Sequence, residues 1–130
     1  MNFLSENKYI SIDANEIGKK LERYILNGNL SGLELFSNSL SVNVGIIKQR
    51  ILDLGGHVYM AGGDNILAEI QYGKISEVVN LIDEMNQEES YRFSIGVGDT
   101  PANAYIAIKY AKVNELFAIK FANDGFSNLI

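Results

Sequence analysis

Apolar positions along the chain follow two rhythms, a step of two and steps of three and four, and the switches between them mark out its elements. Residues 8–13 (KYISID) alternate with β-branched and aromatic side chains, which predicts a strand ending at Asp13. Residues 16–26 change to helical spacing through Ile17, Leu21, Tyr24 and Ile25, and Asn27-Gly28 supplies a stop. A long helix is predicted over 31–54, with Leu33, Phe36, Leu40, Val44, Ile47, Ile51 and Leu54 on its inward stripe, closed by Gly55-Gly56. Two short strands follow, 57–61 and 65–71, joined as a hairpin through Gly62-Gly63-Asp64. Residues 74–87 are read as a helix and 91–97 as a strand. Thr100-Pro101 places a hydroxyl at an N-cap and proline at the first helical position, opening a helix to about Val113. A last strand is expected at 116–121, with the tail 122–130 frayed or loosely docked.

The resulting order, β-α-α-β-β-α-β-α-β, contains a β-α-β-β-α-β core. That core predicts a single α+β domain over 1–130 with a ferredoxin-like, or palm, arrangement: an antiparallel sheet of about five strands with helices mainly on one face. A length of 130 residues, 47% hydrophobic and 21% charged, fits one core. No apolar run approaches the ~20 residues of a membrane helix, so no direct membrane binding is expected. The opening MNFLSENKYISID lacks the layout of a secretion signal, so a cytoplasmic protein is expected. The chain has no cysteine, which excludes disulfides, thiolate catalysis and cysteine zinc sites. A net charge of −5 disfavours a long nucleic acid as partner. A nucleoside triphosphate remains open, because metal ions, helix N-termini and a few lysines can meet its charge locally.

In this topology the first strand neighbours the central hairpin, so Asp13 and Asp64 are expected at one sheet edge. Two carboxylates there suit Mg²⁺ or Mn²⁺, which take one or two protein oxygens and complete their shells with water and phosphate. Two such ions about 4 Å apart can serve an in-line displacement. The backbone carbonyl of Ala14 is a candidate third ligand. Gly62 and Gly63 lack Cβ atoms and let a substrate approach the main chain. The loop Ala14-Asn15-Glu16-Ile17-Gly18 opens a helix whose free N–H groups suit phosphate. Lys109 and Lys112, on one face of the fourth helix, are candidates to reach the same phosphates. Each feature also has a structural explanation: Asp13 as an N-cap, Gly62-Gly63-Asp64 as a plain turn, the lysines as a solvated face, and His57 as a strand start. Asp99, Thr100 and Asn103 are read as caps. The functional reading rests on their joint occurrence in order.

Three segments carry a resemblance: YISIDANEIGKKLE (9–22), LGGHVYMAGGDNILAEI (54–70) and FSIGVGDTPANAYIAIKYAK (93–112). In these the chain resembles the minimal CRISPR polymerase family, mCpol, akin to the palms of type III CRISPR polymerase subunits and to GGDEF nucleotide cyclases. The resemblance implies a stand-alone synthase of a cyclic dinucleotide or short cyclic oligonucleotide, made from ATP in anti-phage defence. It implies a face-to-face homodimer and, by analogy, a nucleotide-sensing effector. By position, Asp13 and Asp64 match the metal-binding acids, 14–18 the triphosphate loop, and Lys112 in Tyr110-Ala111-Lys112 the phosphate-contacting lysine. Two departures stand out. Asp64 is followed by Asn65 where relatives commonly carry a second acid, and the first motif reads Asp13-Ala14-Asn15-Glu16 where Asp-Gly-Asp-Asp is expected. Asn65 can accept one hydrogen bond but cannot act as a base. That leaves an alternative, a weakened or inactive nucleotide-binding palm serving as a sensor or dimerisation module.

Overall fold

The computed structural model describes residues 3–129, so Met1 and Asn2 at the start and Ile130 at the end of the tail lie outside the described residues. The strands are β1 (Asn7–Ala14), β2 (His57–Gly62), β3 (Asn65–Gln71), β4 (Phe93–Gly98), β5 (Ala118–Ala122) and β6 (Gly125–Asn128). The helices are α1 (Ile17–Leu26), α2 (Leu30–Asp53), α3 (Ile75–Glu88) and α4 (Pro101–Val113). The sheet runs β2-β3-β1-β4-β5-β6, antiparallel except for the parallel pair β4–β5 that α4 connects. Its first four strands, β2-β3-β1-β4, set the first strand beside the central hairpin, as expected.

Strand alternation divides the side chains between two layers. Ile10, Ile12 and Ala14 of β1, with Ile66, Ala68 and Ile70 of β3 and Phe93, Ile95 and Val97 of β4, meet the inward stripes of α2 and α3 in the main core. β4 is buried along its whole length, because its other face lies under α4. A Cβ on Gly96 would strike the α4 backbone at Ala104 and Ile108, and one on Gly98 would strike Asn103. Glycine at these positions lets α4 lie directly on the strand, where Ala107 and Ala111 pack on Ile119 and Phe121. Thr100 caps α4 through its hydroxyl, which accepts the Asn103 N–H at 3.1 Å.

The tail departs from the expectation of a frayed end. After β5 the chain turns through Asn123-Asp124 and returns as β6, which opens on Gly125 at φ 100° and sets Phe126 opposite Phe121. Phe126 stacks on Tyr110 of α4 at a centroid distance of 3.8 Å. The aspartate-glycine pair is a hairpin signal; the strand it introduces is only four residues long, too short to show an alternation.

Candidate active site

β1 delivers Asp13 to the end of the sheet where β3 and β4 begin: Asp13 lies opposite Asn65 on one side and Ser94 on the other. Ile12 and Ala14 point into the core, so Asp13 faces the α4 side of the sheet. The β2–β3 turn brings Asp64 to the same corner, where the Ala14 N–H donates to the Asp64 carbonyl at 3.0 Å. Gly63 takes φ 61°, and neither Gly62 nor Gly63 has an atom within 4 Å of a built Cβ, so the turn is open to approach. From the other layer Lys112, in the last turn of α4, donates to Asp13 Oδ2 at 2.8 Å, with both side chains under a third exposed.

The corner holds two carboxylates and one ammonium. Burial pushes the Asp64 carboxyl up from its ordinary value, the Asp13 charge adds to the shift, and Lys112 offsets part of it. Negative charge is therefore in surplus. Among the described residues no group of three or more histidine, cysteine or carboxylate side chains gathers into a metal cage. Two carboxylates with surplus charge nevertheless fit a hard divalent ion that draws its remaining ligands from water and substrate phosphate.

The loop after Asp13 is tied down by main-chain and side-chain bonds. The Asn15 N–H donates to the Arg92 carbonyl at 2.8 Å, and the Asn15 amide exchanges hydrogen bonds with the Ser94 hydroxyl at 2.9 and 3.1 Å. Glu16 enters α1 in the left-handed region at φ 55° and makes no side-chain cap, which leaves the first N–H groups of α1 without a side-chain acceptor. Asp13 is thus not the cap of α1. Glu16 instead pairs loosely with Lys19 at 3.6 Å, both well exposed. Ile17 is a core residue, and Gly18 is exposed with open space beside it.

Beyond this loop opens a cavity of about 720 Å³, lined in part by Asn15, Lys20, Arg92, Lys112 and Glu115. Lys20 and Arg92 were not among the residues expected from sequence. They come from separate parts of the chain, with no motif linking them, and only the packed fold shows that they line one cavity. The structure brings Asp13, Asp64, Asn65, Lys112 and the 14–16 backbone together. It does not bring Lys109, whose ammonium lies 5.2 Å from the Tyr105 ring on an exposed part of α4. His57 begins β2, as expected for a strand-start residue.

A family model described as the minimal CRISPR polymerase domain matches residues 9–122. A search of curated proteins finds no match. Among solved structures, a bacterial light-regulated adenylyl cyclase aligns at TM-score 0.67 and 14% identity, over 88% of this chain and 42% of its own. The active GGEEF domain of a diguanylate cyclase from Vibrio cholerae aligns at TM-score 0.58 and 16% identity, over 90% and 83%. The Csm1–Csm4 cassette in complex with cA4 aligns at TM-score 0.66 and 17% identity, over 88% and 20%. At these identities the likeness establishes the fold, and the chain spans less than half of the two adenylyl cyclase chains that it matches. Among the described residues no helix is long and apolar enough to cross a membrane.

Proposed function

The chain belongs to the minimal CRISPR polymerase domain family, and on that premise we propose that it is a metal-dependent nucleotidyltransferase that makes a cyclic dinucleotide or short cyclic oligonucleotide from ATP. The observation that carries this reading is the meeting of Asp13, Asp64 and Lys112 at one corner of the sheet. A sugar hydroxyl of one nucleotide attacks the α-phosphate of another, a phosphodiester bond forms, and the bond to pyrophosphate breaks. Asp13 and Asp64, with the Ala14 carbonyl, would hold Mg²⁺ or Mn²⁺. When bound, those ions polarise phosphoryl oxygens and acidify the attacking hydroxyl. The uncapped N–H groups around 16–18 receive phosphate oxygens, and Lys112 neutralises charge beside the metals. Gly62 and Gly63 leave the main chain accessible to the nucleotide. Two protomers pairing face to face would each hold one nucleotide. By family resemblance, the product serves as a signal in anti-phage defence, read by a nucleotide-sensing effector.

Incubation with ATP and Mg²⁺ or Mn²⁺ is expected to give a cyclic product by mass spectrometry. Asp13→Ala and Asp64→Ala each lower its rate by more than the roughly 10²–10³-fold that loss of one transition-state stabiliser costs. Turnover that persists in both variants would sink this assignment. Asn65 supports a second reading, a palm that binds nucleotide and turns it over slowly or not at all. Asn65→Asp separates the two: a faster variant marks a weakened enzyme, whereas saturable ATP binding without product in either form marks a sensor.

A further inference from the structure

The face of the sheet that carries Asp13 is covered by α4 only over β4, β5 and part of β1. On its other half, over β1, β3 and the edge strand β2, the side chains form a continuous track. Along β1 the track reads Asp13, Ser11, Tyr9, and along β3 it reads Asn65, Leu67, Glu69, each directly opposite its β1 partner. At the far end of this track β2 carries a bulge between Val58 and Met60, a device that re-aims side chains. Counted from Val58, which packs on the core, alternation puts Tyr59 on this face, and the bulge brings its neighbour Met60 out beside it. Its hydroxyl donates to Glu69 Oε1 at 2.7 Å, its ring stacks with Tyr9 at 6.3 Å, and His57 packs edge-on at 4.4 Å. Despite being held from three sides, Tyr59 is 53% exposed. These contacts orient the ring and still leave about half of the side chain open to a ligand. Between it and the two aspartates, the Ser11 hydroxyl and the Asn65 amide have no hydrogen-bond partner among the described residues.

We propose that Tyr59, braced by Tyr9 and Glu69, is a stacking platform for the base of a nucleotide whose phosphate or sugar hydroxyl lies at Asp13 and Asp64. The track has the polarity such a ligand needs. Carboxylates stand at the phosphate end, unpaired hydroxyl and amide groups follow where the sugar would pass, and an aromatic surface of fixed orientation stands at the base end. Tyr9 is four residues from Asp13, roughly 13 Å along the strand. The Glu69 hydrogen bond fixes the ring before the ligand arrives, which lowers the ordering cost of binding. Stacking is tolerant of base identity, so this platform contributes affinity and position while leaving base choice to other groups.

This inference rests on the nucleotide reading above, and its test separates the two. ATP and inorganic tripolyphosphate are titrated calorimetrically with Ca²⁺ into the intact wild-type chain and into Tyr59→Ala and Tyr59→Phe. Tyr59→Ala is expected to weaken ATP about 5- to 100-fold, the effect of removing one stacking ring, and to leave tripolyphosphate unchanged. Tyr59→Phe keeps the ring and retains most of the ATP affinity. Equal ATP affinity in wild type and Tyr59→Ala overturns the platform while leaving the nucleotide reading intact. So does a Tyr59→Ala variant that changes only self-association in sedimentation, since the ring would then serve a contact between copies. A wild-type chain that binds neither ligand overturns both.

Discussion

The two ends of β1 each carry a lysine with two carboxylates, and they are built oppositely. At its start Lys8 is buried, with a side chain 9% exposed, and reaches Asp99 at 2.6 Å and Glu6 at 3.7 Å, whose side chains are 55% and 46% exposed. At its end Lys112 meets Asp13 with both side chains under a third exposed, and Asp64 adds a second partly desolvated charge. In the first cluster a cation is buried and solvated anions neutralise it, so the Lys8 ammonium is held above its ordinary range, chiefly by its hydrogen bond to Asp99. In the second the carboxylates are themselves partly desolvated, as is the ammonium, and one ammonium faces two of them. The same three charges therefore make a structural clamp at one end and a corner with surplus negative charge at the other. Counting ion pairs would not distinguish them; how far the carboxylates have lost their water does.

Removing the cation at each end sharpens the contrast. Lys112→Met leaves two neighbouring carboxylates without their ammonium. Nucleotide affinity is expected to fall about ten- to hundredfold, the worth of a hydrogen bond to a charged group. Without metal the variant melts below wild type, and added Mg²⁺ recovers part of that loss. Calorimetric titration with ATP and thermal melts with and without Mg²⁺ read both effects. A variant that binds ATP as wild type does would place Lys112 in the clamp class.

Asp64→Asn probes the surplus charge itself. The folded carboxyl sits above its unfolded value of 3.8, so in the window just above 3.8 the folded state binds more protons than the unfolded one. Stability contributed by Asp64 therefore falls as pH rises through that window. The metal-free Asn variant is expected to lack this slope and to melt about 1–3 °C higher than wild type at neutral pH, while losing turnover. A lower melting temperature would show that Asp64 stabilises the fold. The smallest effect belongs to Lys8→Met, whose former partners are solvated: a stability change within about 1 kcal/mol and unaltered ATP affinity. Its raised ammonium contributes stability below its unfolded value of 10.5 that is lost as pH rises through the folded value. Wild type should therefore lose stability in alkali relative to Lys8→Met, which melts across pH 9–12 will show.

Much of this was legible along the chain, because the alternation of 8–13, the glycine-rich turn and the Thr100-Pro101 cap each act locally. The pairing of Asp13 with Asp64 followed from strand order alone. Three features were not local. Lys109 and Lys112 are equivalent by spacing, and only the packing of α4 across β4 and β1 decides that Lys112 is the one that reaches Asp13. Lys20 and Arg92 line one cavity although they are far apart in the sequence and no motif links them. Tyr59 faces outward by simple alternation from Val58, but its meeting with Glu69 and Tyr9 depends on the β2-β3-β1 pairing, which the run HVYMA does not announce.

The most direct test of the loaded corner is metal binding itself. Mn²⁺ is titrated, with an uncleavable ATP analogue present, into wild type, Asp13→Asn and Asp64→Asn, and the free ion is followed by electron paramagnetic resonance. Wild type is expected to hold Mn²⁺, and each variant to lose affinity by more than the roughly 10–100-fold that follows loss of a group behind a ligand. Equal Mn²⁺ affinity in all three proteins would contradict the account.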